Sequence, residues 1–462
     1  MRQIFPLIVL MSQLGSGAQA AVAVASGNWS NPATWGGALP STEEDVSIPA
    51  GFSVILNANV ECGGITVAGR LEVERANRTL LCDSLLVQGS GAVFEAGTAA
   101  NRFSQNFTLT LKGLPSETVM SSMGAKVLGS HNGGTLQIHG RDRIEWTHLG
   151  ANAAAGAKSL TLSEPVDWVV GDSILVTSSR LSWNEAETRT ITSVSADMRT
   201  VSFTTGLAYL HNGSTTTRTR NTDGKSWTAD LRAEVGLLSR NVKIQGDAES
   251  ETAGFGGHIM VMNGGTGCCV TSGRGFIQGV ELYRMGQKSI VGRYPMHWHM
   301  CAEAGAGQYF KDNCVRRSFN RAITIHGTES TVVRNNFCHD HLGHGIFLED
   351  GSERFNVIDG NVVLATMRPA AGEEILQTDN AFVSPQNISP ASYWITNPNN
   401  TFTNNVAAGT HGTGFWFAFP KKPLNASASH PRFINMEPYK EPLGAFDGNV
   451  AHSCGSGLDI ND

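Results

Sequence analysis

The residues with most chemistry to offer are histidines and carboxylates in three short runs, Met296-His297-Trp298-His299-Met300, Thr324-Ile325-His326 and Phe347-Leu348-Glu349-Asp350. Successive side chains of a β-strand point to opposite faces. With Met296, Trp298 and Met300 turned inward, His297 and His299 share the outer face. The same parity puts Thr324 and His326 outside when Ile323 and Ile325 are inside, and Phe347 and Glu349 outside when Ile346 and Leu348 are inside. If the runs are neighbouring strands about 4.8 Å apart, His299, His326 and Glu349 form one column. Two imidazoles and a carboxylate at that spacing can hold a divalent metal, calcium or zinc, or can do acid and base work on a bound polymer. His297 extends this catalytic candidate sideways, His344 and Asp350 adjoin it at turns, and Arg293 is placed to clamp a carboxylate of an acidic substrate. The plain alternative is that these histidines cap strand edges.

Other candidates carry less. Arg316, Arg317, Arg321 and Arg334 read as a local basic patch or as solvated turn residues, and Arg321 is taken as a substrate-binding candidate. Phe415-Trp416-Phe417 offers a sugar-stacking platform in which parity turns out either Trp416 or the two Phe rings, and Trp416 is the candidate. His258 follows a glycine-rich turn, and His339-Asp340-His341 falls in a turn region. There is no P-loop, dinucleotide fingerprint or G-x-S-x-G elbow.

The elements that must position these groups are strands. Short apolar alternations bounded by Gly, Asn, Asp and Ser recur, without a long 3.6-residue period, so the chain reads as all-β. An Asn-apolar pair followed eight or nine residues later by a small-apolar pair repeats at Asn313-Cys314, Asn336-Phe337, Asn405-Val406 and Asn449-Val450. Such self-similarity is the mark of a solenoid, and the 23-residue offset of the first two copies suits one turn of a right-handed parallel β-helix. The expected organisation is a signal peptide over 1–20, a strand-rich module over 27–150, a small β-barrel-like insert over 155–225, and the β-helix over 226–462.

The 462 residues carry a formal charge of −6, which excludes a generally basic nucleic-acid-binding surface. No stretch of the mature chain is long and apolar enough to span a bilayer. A secreted protein is expected, with disulfides among its eight cysteines. Cys314 and Cys338 read equally as buried free thiols. N-glycan triplets occur at Asn28, Asn77, Asn106, Asn212, Asn387, Asn399 and Asn425.

Trp29-Ser30-Asn31-Pro32, Thr34-Trp35-Gly36 and Asp45-Val46-Ser47-Ile48-Pro49-Ala50-Gly51 resemble the opening of a G8 domain. Gly292-Arg293-Tyr294-Pro295, Thr324-Ile325-His326-Gly327-Thr328, Leu342-Gly343-His344 and Phe347-Leu348-Glu349-Asp350-Gly351 resemble the family of the cell-migration-inducing hyaluronan-binding protein and the cell-surface transmembrane hyaluronidase. Fibrocystin-like proteins are similar in architecture. The resemblance covers nearly the whole mature chain. It implies binding and depolymerisation of an acidic polysaccharide such as hyaluronan, linked to calcium, with the histidine motifs near the groove; a non-catalytic glycan- or protein-binding module is the alternative. The chain differs in having Trp298 where those proteins tend to have Phe, and in ending at Asp462 within the repeat, as a fragment would.

Overall fold

The computed structural model describes residues 20–115, 123–264, 271–380 and 389–460. The expected signal peptide up to residue 19, Asn387, Cys268 and Cys269 lie outside them. The chain is a right-handed parallel β-helix with three sheets. The first stacks, among others, Val46–Ile48, Ile65–Val67, Leu85–Gln88, Val127–His131, His258–Met262, Met296–Ala302, Ile323–Thr328, Ile346–Leu348 and Ala391–Ile395. The second includes Phe107–Leu111, Val242–Gly246, Val280–Tyr283, Cys314–Arg316, Phe337–Leu342 and Val362–Met367. The third is an eleven-strand stack that includes Arg274–Gln278 and Tyr309–Lys311. The first two merge in the long strands Val406–Phe417 and Val450–Asp459.

The ladders do not begin at residue 226. Ala21 already pairs with Val46, and Phe107–Leu111 pairs in register with Val242–Gly246, so the N-terminal module supplies coils of the same helix. Its alternating strands bury one face in the interior that runs from Val46 through Trp298 to Phe415. Each inward side chain there stacks on its equivalent in the next coil, and apolar burial is the main stabilising term.

The expected insert is also wider than 155–225. Its antiparallel strands run from Trp146–His148 to Glu234–Leu237 around a separate core that includes Trp168, Ile174 and Val235. It folds back onto the outer face of the second sheet, where Leu175 and Leu238 pack on Phe337, Val362 and Val406. Gly236 must be small, because a Cβ there would stand 2.2 Å from the Phe337 ring.

The repeated asparagines form an internal ladder. The Asn313 N–H donates to Asn336 Oδ1 at 3.1 Å, Asn336 to Asn361 at 3.0 Å, Asn361 to Asn405 at 3.1 Å, and Asn405 to Asn449 at 3.1 Å. The left-handed residue is the one before each ladder member, such as Asp312 at φ 60°, Asn335 at 52° and Asn404 at 56°. The ladder residue itself serves by bonding the next coil. The six described cysteines, Cys62, Cys82, Cys301, Cys314, Cys338 and Cys454, are all buried free thiols, so none forms the expected disulfide. They pack as small apolar side chains.

Candidate functional site

Parity places the cluster as expected. His297 pairs with Thr324 and His299 with His326, and the Glu349 N–H donates to the Ile325 carbonyl, which sets Glu349 beside His326 in the next coil. His299 Nδ1 lies 3.0 Å from His326 Nδ1, and His326 Nδ1 lies 3.7 Å from Glu349 Oε2. The other face of His326 meets Asp350, with Nε2 2.7 Å from Oδ2. His297 stacks parallel to His326 with ring centroids 5.9 Å apart, and Tyr294 meets its edge at 4.9 Å.

Although this is the outer face of a sheet, it is not open. The chain after the long strand returns over it, and from this strap Asn425 Nδ2 donates to Asp350 Oδ1 at 2.9 Å and the Ser427 N–H to Oδ2 at 3.2 Å. His297, His326 and Asp350 are buried, while His299 is half-exposed. Glu353 was not anticipated. Its buried carboxylate accepts the N–H groups of Gly327, Asp350 and Gly351, fixing the turn that aims Asp350.

Electrostatics follow from this packing. Burial works to lower the His326 pKa, but the charge of Glu349 and the bond and charge of Asp350 override it and lift it to about 9. Burial raises the Glu349 carboxyl to about 7, against the pull of His326 and with Asp350 adding to the rise. Burial also opposes ionisation of Asp350, yet the His326 contact holds it below its usual range. His299 is lowered to about 4 by burial and the His326 charge, and His297 falls well below its ordinary value for the same first reason. Four buried polar atoms of these neighbours have no hydrogen-bond partner: the Tyr294 hydroxyl, His297 Nε2, Thr324 Oγ1 and Glu349 Oε2.

The remaining expected residues lie elsewhere or are otherwise engaged. Arg321 is buried in an ion pair with Asp379 and lies 4.3 Å over the Phe347 ring centroid, so it is not a substrate contact. His344 joins that pair, with Nε2 3.5 Å from Asp379 Oδ1 and its ring stacked 4.2 Å from Trp394. Trp416 is only 4% exposed, packed with Phe347, Ala391 and Trp394, and offers no sugar platform. Arg316, Arg317 and Arg334 are paired with Glu281, Glu251 and Asp359, which dissolves the expected basic patch. Arg293 is half-buried near the cluster, where its charge acts on His299 and His258.

His297, His299 and His326 each bring one ligand atom within 4.8 Å of the others, as do His326, Glu349 and Asp350. The donor set fits a metal. The His297 Nδ1 faces the Gly292 carbonyl at 3.0 Å and the His326 Nε2 faces Asp350, so each ring keeps its second nitrogen for a ligand. Two nitrogens on one tetrahedral zinc stand about 3.3 Å apart, given Zn–N bonds of about 2.0–2.1 Å, close to the 3.0 Å seen between His299 and His326.

Residues 34–150 match the G8 domain, and residues 254–458 match the CEMIP beta-helix. The chain belongs to the G8-domain, CEMIP β-helix family. It is 33% identical to fibrocystin-L of Mus musculus over 92% of its own length, and 31% identical to protein rliB of Dictyostelium discoideum over 93%. It spans 10% of the first relative and 37% of the second. Among solved structures, the tailspike gp49 of Pseudomonas phage LKA1 aligns with 81% of this chain and 49% of its own, at 10% identity and a TM-score of 0.20.

Proposed function

We propose that the chain is an extracellular enzyme that cleaves an acidic polysaccharide of the hyaluronan type at the His297, His299, His326 and Glu349 cluster, with a divalent ion as cofactor. The observation that carries this reading is the concentration of buried atoms without a hydrogen bond, Tyr294 hydroxyl, His297 Nε2, Thr324 Oγ1 and Glu349 Oε2, around one column. Buried polar groups are nearly always paired, so orphans gathered in one place point to a ligand. A nitrogen-rich set favours zinc over calcium, which takes six to eight oxygens.

When bound, such an ion supplies Lewis acidity and lowers the pKa of a bound water. The chain's own residues do the rest. Asp350 and the Gly292 carbonyl fix the imidazole tautomers. His299 Nδ1 and His326 Nδ1 face each other at 3.0 Å, so an ion held by both would have to displace any proton shared between them. Glu349, at a pKa of about 7, can hold or give up a proton at neutral pH, the property a general acid or base needs. Arg293 supplies positive charge for an anionic polymer on a chain of net negative charge.

The test is size analysis of hyaluronan, chondroitin and pectin-like polymers after incubation, with mass spectrometry for the unsaturated ends that only a lyase leaves. The expected result is shortening that a chelator stops, that zinc restores and that His326→Ala lacks. Polymers left at full length with zinc or calcium supplied would overturn the catalytic reading, and binding without shortening would make the chain a glycan-binding module.

A further inference from the structure

Directly after His299 the ladder breaks. The pairing with the next strand shifts register between His299 and Ala302, and both Met300 (φ 56°) and Ala302 (φ 48°) are held in the left-handed region that β-strands and non-glycine residues avoid. Bulges with such backbone re-aim a strand and gather at functional sites. Here the break opens a cavity of about 530 Å³ at the corner between the first and third sheets. That volume lies within the range of about 300–1,000 Å³ usual for small-molecule sites.

We propose that this cavity is a subsite for one carboxylate-bearing sugar unit, with Arg274 as the partner of the carboxylate. The lining suits a pyranoside: alanines including Ala302 form an apolar surface, and Asn263, Ser272, Arg274, Glu303 and His430 offer amide, hydroxyl, guanidinium, carboxylate and imidazole groups around it. The charges select an anion. The Glu303 carboxylate is met by Arg432 at 3.5 Å, whereas Arg274 is exposed, makes no ion pair among the described residues, and has its guanidinium 5.1 Å over the Phe276 ring centroid. Asn263 Oδ1 is buried without a hydrogen-bond partner and is available to accept from a sugar hydroxyl.

Two links tie the lining of the cavity to the cluster. The Asn263 N–H donates to the His299 carbonyl at 3.2 Å. His430 lies on the same strap whose Asn425 and Ser427 bond Asp350. On this proposal a polymer held at the cluster places an adjoining unit in the cavity. The proposal rests on the glycan-cleaving reading for its ligand class, but its own test is a binding measurement.

The probes are a glucuronate-containing hyaluronan tetrasaccharide and the same tetrasaccharide with its carboxyls reduced to alcohols, titrated calorimetrically into the whole chain. Wild type should prefer the carboxylate form by at least ten-fold. Arg274→Gln, at an exposed position that should not disturb folding, should abolish the preference while keeping the weak affinity for the reduced form, and Arg274→Lys should restore part of it. Asn263→Ala should weaken both forms alike. No binding by wild type, or a preference unchanged in Arg274→Gln, overturns the subsite even if polymers are cleaved. Arg274-dependent binding without chain shortening would retain the subsite and reject the catalytic reading.

Discussion

Two of the histidine-carboxylate clusters among the described residues differ in what is left unbonded. At the seam between the insert and the final coil, Glu234 is 1% exposed, yet its Oε2 accepts from the Thr177 hydroxyl at 2.8 Å and meets His452 Nε2 at 3.0 Å, while His148 Nε2 stands 3.6 Å from Oε1. No atom of Glu234, Thr177 or His452 is a buried orphan. Under the strap, the His326 cluster has similar burial and the same residue types but four orphans. Histidines paired with carboxylates are thus common to a joint and to a candidate site. Unsatisfied atoms distinguish them.

Substitution should widen that difference. Glu349→Gln should reduce polymer cleavage by about 10²–10⁴-fold, the usual contribution of a positioned acid or base, measured as the initial rate of chain shortening. Glu234→Ala should leave activity per folded molecule within two-fold, roughly the scatter of such assays, yet cost about 3–5 kcal/mol in denaturant unfolding, because it strands the partners of a buried charge. A smaller contrast lies in the two threonines. Thr177→Val removes a satisfied bond and should cost about 1–3 kcal/mol, whereas Thr324→Val removes an orphan and should be near neutral; equal costs would erase the distinction between the clusters.

The subtlest effect is on pH. Burial lowers the His452 pKa, but the Glu234 charge and bond outweigh it and raise it. Burial raises that of Glu234, but His452 outweighs it and lowers it. The His452 contribution is therefore full below its ordinary pKa and fades as pH rises through the raised one. The Glu234 contribution is present above its ordinary pKa and fades as pH falls through the lowered one. The Tm difference between wild type and His452→Gln should be largest in mildly acidic solution and shrink as the medium becomes alkaline.

Much of this was legible in the sequence, because period-two parity is a local property. It assigned His299, His326 and Glu349 to one column and set Trp298 and Ile325 inside. Parity says which face of a sheet a residue takes, but not what covers that face. Trp416 is outward in that sense, yet the apolar cluster with Trp394 encloses it, and Arg321, just before its strand, is covered by the segment bearing Asp379. The long-range partners Asn425 and Ser427 could not be read from spacing, although the carboxylate of Glu353, three residues after Asp350, was visible as a local signal. The early coils were hidden for another reason. Val46, Ile65 and Leu85 recur at near-constant spacing, but without the asparagine that marks the later turns.

The insert leaves and re-enters the helix at one point, where the Arg141 N–H donates to Asn241 Oδ1 at 2.8 Å and the strand at Phe107 pairs with the strand at Val242. Coil growth from the N-terminal end must therefore pause while the whole detour is accommodated. Loop closure costs rise only slowly with length, but non-local pairing slows folding strongly. A detour with its own core can fold first and deliver its two ends together, so that the solenoid zips past it as though it were a single tight turn.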